Sequence, residues 1–301
     1  MSEFDAAAAP ARTFRTTSAG GLAGGSFPLR LYAKARALGT WDPSAIDLAR
    51  DAGDWVRMSE HERDSILRVT ALFQAGEESV TLDLLPLIET IALEGRLEEE
   101  LFLTAFLWEE GKHTVFFRRV LDEVCGADDD LHGFHTPSYR KVFYEELPAA
   151  LGALRSDRSP AAQVRAAVTY TLIVEGVLAE TGYHSYGQAL ARRGLLPGLR
   201  EGLALVKRDE SRHIAYGVHL ISRLVAADPA LWEVVEERMA ELLPAALGVV
   251  EESFASYEVT PFGVEVADIV AFAVQQHGKR LARIERARDG GPAEDEIEPQ
   301  E

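Results

Sequence analysis

The sequence predicts an all-α fold, a large antiparallel bundle of long helices. Apolar residues recur at spacings of three and four through long segments, while alternating β-branched runs are scarce. Proline and glycine gather mostly at the joints between those segments. A repeat adds to this: "WEEGKH" at 108–113 and "RDESRH" at 208–213 each set a glutamate and a histidine three apart inside an otherwise apolar helical pattern.

The helices are expected over 59–89, 97–124, 137–155, 160–192, 196–226, 229–258 and 264–287. Ser59 with Glu62 forms a capping box that opens the first, and Pro86 kinks it near its end. Ser159-Pro160 and Asp228-Pro229 put proline into the first turn of the fourth and sixth. Several segments approach 30 residues, about 45 Å at 1.5 Å per residue, a length that suits a bundle better than globin-like packing. The Ala/Gly/Ser-rich segment 1–27 and the acidic segment 288–301 read as flexible tails on one domain, 28–287.

Composition narrows the function. An apolar content of 47% over 301 residues fills a sizeable core. A formal net charge of −18 without a sustained basic stripe excludes a nucleic-acid partner. The single cysteine, Cys125, excludes an internal disulfide and any multi-cysteine metal site, and fits a reducing cytoplasm. No apolar run approaches the ~18 residues of a membrane span, and no basic segment followed by an apolar core opens the chain, so neither insertion nor export is expected.

Stepping by three and four along the repeated helices gives two stripes. One runs Leu103, Phe106, Glu110, His113, Phe117, Val120; the other runs Leu203, Val206, Glu210, His213, Gly217, Leu220. Glutamate and histidine are the only polar members of either, so both point inward. The neighbouring charges Glu109, Lys112, Arg208, Asp209 and Arg212 fall off the stripes and are expected in solvent. The spacing alone is weak evidence, and a third example, Asp129 with His132, lies in a Gly/Asp-rich stretch that reads as a solvated turn.

Two further inward glutamates supply the context. Glu77 shares a stripe with Ile66, Phe73, Val80 and Leu84; Glu175 shares one with Val168, Leu172 and Leu178. Each lies on the helix before a Glu-x-x-His, so the chain repeats a unit of lone Glu, turn, Glu-x-x-His. Glu78 sits on a more polar stripe and Glu180 breaks the spacing, which favours Glu77 and Glu175. Four carboxylates in an apolar interior must take up protons or bind cations, because each unpaired buried charge costs several kcal/mol. Two divalent ions balance four carboxylates, with two neutral imidazoles as further ligands. Oxygen and nitrogen donors without sulfur favour iron or manganese over zinc or copper. A polar core layer that merely fixes helix register is the alternative, and it calls for basic partners on the same stripes, which are absent.

A Glu from each of two helices with Glu-x-x-His from each of two others resembles the ferritin-like di-iron and di-manganese carboxylate proteins, so the fold enters here by resemblance and not by derivation. The seven or so long helices look like the small subunit of class I ribonucleotide reductase, over about residues 28 to 285. That subunit carries its radical tyrosine four residues after the first ligand histidine, where this chain has Phe117, and its late tyrosine has no counterpart in "EDEIEPQE". The segments "FQAGEESVT", "FLWEEGKHTVFFR", "AAVTYTLIVEG", "LAETGYHSY" and "RDESRHIAYG" resemble instead the reductase-like ligand-binding oxidases.

That resemblance implies manganese at Glu77, Glu110 and His113, and iron at Glu175, Glu210 and His213, with a di-iron centre as the variant. It also implies O2 activation, an ether cross-link between Val80 and Tyr170, a long-chain fatty acid with its head group at the metals, a homodimer and an external electron donor. A ribonucleotide reductase small subunit and a metal-containing lipid-binding protein are the alternatives. From periodicity alone Val80 is a core valine and Tyr170 a core tyrosine at the edge of the Glu175 face. Tyr183 and His184 are open between lining a cavity and packing, and Gly217 is expected to leave a void for a lipid tail.

Overall fold

A computed structural model describes residues 22, 25–127 and 130–288. Residues 1–21, 23–24 and 289–301 of the expected tails, and Asp129, lie outside the described residues. Among the described residues all regular structure is helical. The helices are α1 (Phe27–Leu38), α2 (Ala49–Arg57), α3 (Glu60–Asp83), α4 (Leu85–Leu93), α5 (Leu97–Arg119), α6 (Pro137–Arg140), α7 (Leu147–Ala153), α8 (Pro160–Ala167), α9 (Glu180–Arg193), α10 (Pro197–Ala227), α11 (Leu231–Phe254) and α12 (Val266–Arg288). Among the described residues no helix is long and apolar enough to cross a membrane.

Local chemistry sets these ends. The backbone N–H of Glu62 donates to the Ser59 hydroxyl, and the N–H of Ser59 donates to the Glu62 carboxylate, which closes the capping box that opens α3. Pro86 cannot donate within the helix, and the expected 59–89 segment divides there into α3 and α4 around Leu84. Three segments wind as π-helix: Val120–Cys125 extends α5, Lys141–Glu146 joins α6 to α7, and Val168–Ala179 joins α8 to α9.

Helices α1 and α2 lie in 27–57, where none was expected, and α1 takes in Phe27, the buried last residue of the expected tail. Their contribution is to fix the neighbours that carry the buried acids. The N-cap residue of α10 is Leu196, which has no side-chain acceptor to offer. Asp51 of α2 takes that role by accepting from the N–H groups of Gly198 (2.9 Å) and Leu199 (2.6 Å), and Asp54 accepts from Leu196 (2.9 Å).

The core has two apolar halves. Leu103 and Phe106 of α5 belong to one half and Phe116 and Phe117 to the other, with Glu110 and His113 between them. On α10, Leu203 and Val206 lie in the second half and Val218 and Leu220 in the first, with Glu210 and His213 between. The buried acids thus form a polar layer across the bundle.

Gly217 does not leave the expected void. A Cβ there would stand 1.9 Å from the Thr171 hydroxyl oxygen, so α10 and the Val168–Ala179 segment touch at this point. Gly217→Ala is expected to destabilise the fold by about 1–3 kcal/mol through overpacking, read as a lower denaturant midpoint at unchanged slope.

Candidate metal centre

Glu77 comes from α3, Glu110 and His113 from α5, Glu175 from the Val168–Ala179 segment, and Glu210 and His213 from α10. The structure brings all six together, and none is more than 5% exposed. They form two overlapping groups: Glu77, Glu110, His113 and Glu210 in one, and Glu110, Glu175, Glu210 and His213 in the other. Each group could hold a metal ion, and Glu110 and Glu210 belong to both.

The Nδ1 atom of His113 stands 3.6 Å from Glu77, 3.5 Å from Glu110 and 3.3 Å from Glu210. That of His213 stands 3.3 Å from Glu110, 3.6 Å from Glu175 and 3.4 Å from Glu210. Donors held about 2.1 Å from one divalent ion stand roughly 3.0–3.5 Å apart, so the spacing fits a shared cation. Both Nδ1 atoms, both Glu175 oxygens and one oxygen each of Glu110 and Glu210 are buried without a hydrogen-bond partner. Such a concentration of unsatisfied acceptors is costly unless a cation takes them up.

Electrostatics repeat the point. Burial, reinforced by the Glu110 charge, pushes Glu77 well above the usual carboxylate range, and burial does the same to Glu175. Against its burial, Glu110 is held well below that range by the two imidazoles. Glu180 is ion-paired to Arg280 outside the cluster, and Glu78 is exposed and accepts from Gln74.

The charges expected in solvent are not there. Glu109, Asp209 and Arg212 are 0% exposed and Lys112 is 6% exposed, while Arg208 is half-buried. Glu109 reaches the outer nitrogen of His213 (Nε2, 2.9 Å) and Asp209 faces that of His113 (Nε2, 3.4 Å). Arg212 donates to both acids, and Lys112 and the Trp41 indole both donate to Asp209. The solvent expectation fails because α5 packs against both α3 and α1, which narrows its wet face to the stripe Leu97, Thr104, Trp108, Val115 and Arg118 and covers Glu109 and Lys112. A signal was present: both motifs read acid, Glu, x, base, His, in "EEGKH" and "DESRH".

The phenol of Tyr170 donates to Glu110 (2.9 Å) and that of Tyr183 to Glu77 (3.1 Å). Five residues separate Tyr170 from Glu175, which on an α-helix would set them about 140° apart. The π-helix turns less per residue than an α-helix, which narrows that angle and swings the two side chains towards each other. Val80 and Tyr183 line a cavity of ≈ 140 Å3 that reaches Glu77, Glu110, Glu175 and Glu210 and is otherwise walled mainly by apolar residues such as Phe73, Leu178 and Phe262. His184 does not line this cavity but stacks on Phe272, with ring centroids 4.0 Å apart. Phe117 packs against Phe73, at 5.1 Å.

The sequence profile of the ribonucleotide reductase small chain matches residues 29–286. Several solved structures of R2-like ligand-binding oxidases are similar to this chain. A valine-to-leucine variant with an anaerobically reconstituted Mn/Fe cofactor shares 35% identity over 93% of this chain and 98% of its own, with a TM-score of 0.85. A glycine-to-leucine variant, also with an anaerobically reconstituted Mn/Fe cofactor, shares 37% over 90% and 97%, at 0.85. A tyrosine-to-phenylalanine variant with an aerobically reconstituted Mn/Fe cofactor shares 36% over 90% and 97%, at 0.86. Extent of match, level of identity and shared architecture together show that this chain belongs to the ribonucleotide reductase small-chain family.

Proposed function

We propose that this chain, as one domain over 28–287, is an oxidase with a heterodinuclear manganese–iron centre. Glu77, Glu110 and His113 would hold manganese and Glu175, Glu210 and His213 would hold iron, with Glu110 and Glu210 within reach of both groups. The observation that carries the reading is the set of unsatisfied buried oxygen and Nδ1 atoms converging where an apolar cavity ends. When bound and reduced, the metals supply electrons to O2 and an oxidant for C–H bonds.

The chain's own residues prepare the site for that work. The apolar walls exclude water, and the four carboxylates balance the two cations. A long-chain fatty acid would set its head group at the carboxylate end of the cavity and the first part of its chain along Phe73, Leu178 and Phe262, since ≈ 140 Å3 holds only part of such a molecule. Val80 and Tyr170 become joined by an ether. An external electron donor would supply the reducing equivalents, in a reducing cytoplasm that suits the single Cys125. Two copies associate through α5, where Leu97, Trp108 and Val115 stand about half-exposed at heptad-compatible spacing.

Loading with both metals and measuring content by elemental analysis tests the reading. The expected result is one manganese and one iron per chain, with O2 consumed when the reduced protein meets air; a folded chain that retains neither metal refutes it. A lipid-binding protein without oxidase activity would bind the fatty acid and leave O2 untouched. Ribonucleotide reduction is disfavoured by Phe117, which has no hydroxyl to oxidise. No stable tyrosyl signal is expected by electron paramagnetic resonance after O2 is added to the reduced protein, and such a signal would reinstate the reductase reading.

A further inference from the structure

The two Glu-x-x-His motifs are near copies, yet their surroundings differ on one side only. Each motif's leading acid reaches across to the other motif's histidine: Glu109 to His213 and Asp209 to His113. Arg212, fully buried, donates to both acids and so treats them alike. Lys112 occupies the matching place in the first motif but does not mirror Arg212. Its ammonium lies 2.8 Å from Asp209 Oδ2 and donates to the Gly39 carbonyl as well. Trp41 Nε1 donates to the same Oδ2 at 2.7 Å.

Asp209 Oδ2 therefore faces three donors, and His113 is the most distant of them at 3.4 Å, beyond the usual N–H···O range of about 2.7–3.2 Å. Glu109 Oε2 receives His213 at 2.9 Å, while Arg212 takes the other oxygen. A carboxylate already neutralised by an ammonium and an indole N–H is a poor acceptor. His113 is left a weakly polarised imidazole, whereas His213 is polarised towards imidazolate and is the stronger donor through Nδ1. For a given nitrogen and oxygen site, manganese(II) binds more weakly than iron(II), so a difference in donor strength sorts the two.

We infer that Lys112 and Trp41, by occupying Asp209, make the half-sites unequal and direct manganese to the Glu77–His113 side and iron to the Glu175–His213 side. This rests on the dinuclear reading above and supplies the cause of the metal order. Both are positioning residues, acting through Asp209 and His113. Gly39 and Trp41 lie just beyond α1, so the loop that follows the first helix carries the device.

The test is Lys112→Met, which keeps the aliphatic stem between Trp41 and Trp108, whose rings lie 4.4 and 4.6 Å from the ammonium, and leaves Arg212 on Asp209. Trp41→Phe removes the second donor independently. Wild type and both variants are loaded without O2 from equal manganese(II) and iron(II). Each half-site is then read by anomalous diffraction at the two metal edges, with total metal from elemental analysis.

The expected result is unchanged total metal and a manganese-to-iron ratio at the Glu77–His113 side that falls by about tenfold or more in either variant. Lys112→Arg, which keeps a cation, should retain the order. An unchanged metal order in either variant, with both half-sites filled, overturns the inference and leaves the dinuclear reading intact. A wild type that takes up no metal overturns both.

Discussion

Glu110→Ala is expected to empty both half-sites, whereas Glu77→Ala empties mainly one. One Glu110 oxygen stands 3.3 Å from His213 Nδ1 and the other 3.5 Å from His113 Nδ1, so its carboxylate belongs to both ligand groups. Glu77 belongs to the first group alone and Glu175 to the second alone. If both proposed ions are bound, truncating Glu110 would take a carboxylate from each group and leave Glu210 as the one acid common to both. Like charges that the ions had held together are then buried with less compensation, which weakens retention of each metal further. Elemental analysis after loading and desalting reads the outcome. Loss of one metal only from Glu110→Ala would show that the carboxylate does not bridge, and would return it to the first half-site.

The all-helical class was legible because its signal is additive: every turn of a long helix repeats the same three-and-four pattern, and errors at one residue are diluted. The inward direction of Glu77, Glu110, His113, Glu175, Glu210 and His213 was legible for the same reason, since each is the polar exception on an apolar stripe. The second layer was hidden by an assumption in that method. A stripe divides a helix into one buried and one wet face, which holds only when the helix has neighbours on one side. Helix α5 is covered by α3 and also by α1, whose 12 residues lie where no helix was expected. Glu109 and Lys112 were therefore assigned to water, although they stand beside the histidines.

Two other features depend on backbone geometry that composition does not encode. The Val168–Ala179 segment is rich in β-branched and apolar residues and reads equally well as α-helix; only the wider π-helical turn swings Tyr170 and Glu175 closer together. Gly217 stands opposite Phe117 in the repeat, a pattern that points to a gap. The missing side chain in fact admits Thr171, a partner 46 positions away that no local pattern points to.

Tyr170→Phe is expected to abolish the ether cross-link while leaving metal content intact. Tyr170 is not among the ligand groups; its hydroxyl donates to Glu110 at 2.9 Å and its ring stacks on Phe106 at 5.6 Å. Phenylalanine keeps the stack and loses one hydrogen bond, at a cost of about 1 kcal/mol. Burial, with the Glu110 charge beside it, pushes the phenol well above its usual pKa, so it enters the reaction as the neutral O–H. Joining Val80 to Tyr170 breaks one C–H and one O–H bond and forms one C–O bond, with two protons and two electrons passing to O2. Intact mass should thus fall by about 2 Da on aerobic loading of both metals and stay constant without O2. Tyr183 is the rival phenol, since it donates to Glu77, one turn before Val80. Tyr183→Phe is accordingly expected to cross-link as the wild type does, and peptide mapping separates the two. If aerobically loaded wild-type digests contain only separate Val80 and Tyr170 peptides, the cross-link is absent from this chain; if the 2 Da loss survives Tyr170→Phe and vanishes in Tyr183→Phe, the oxygen of the ether is Tyr183's.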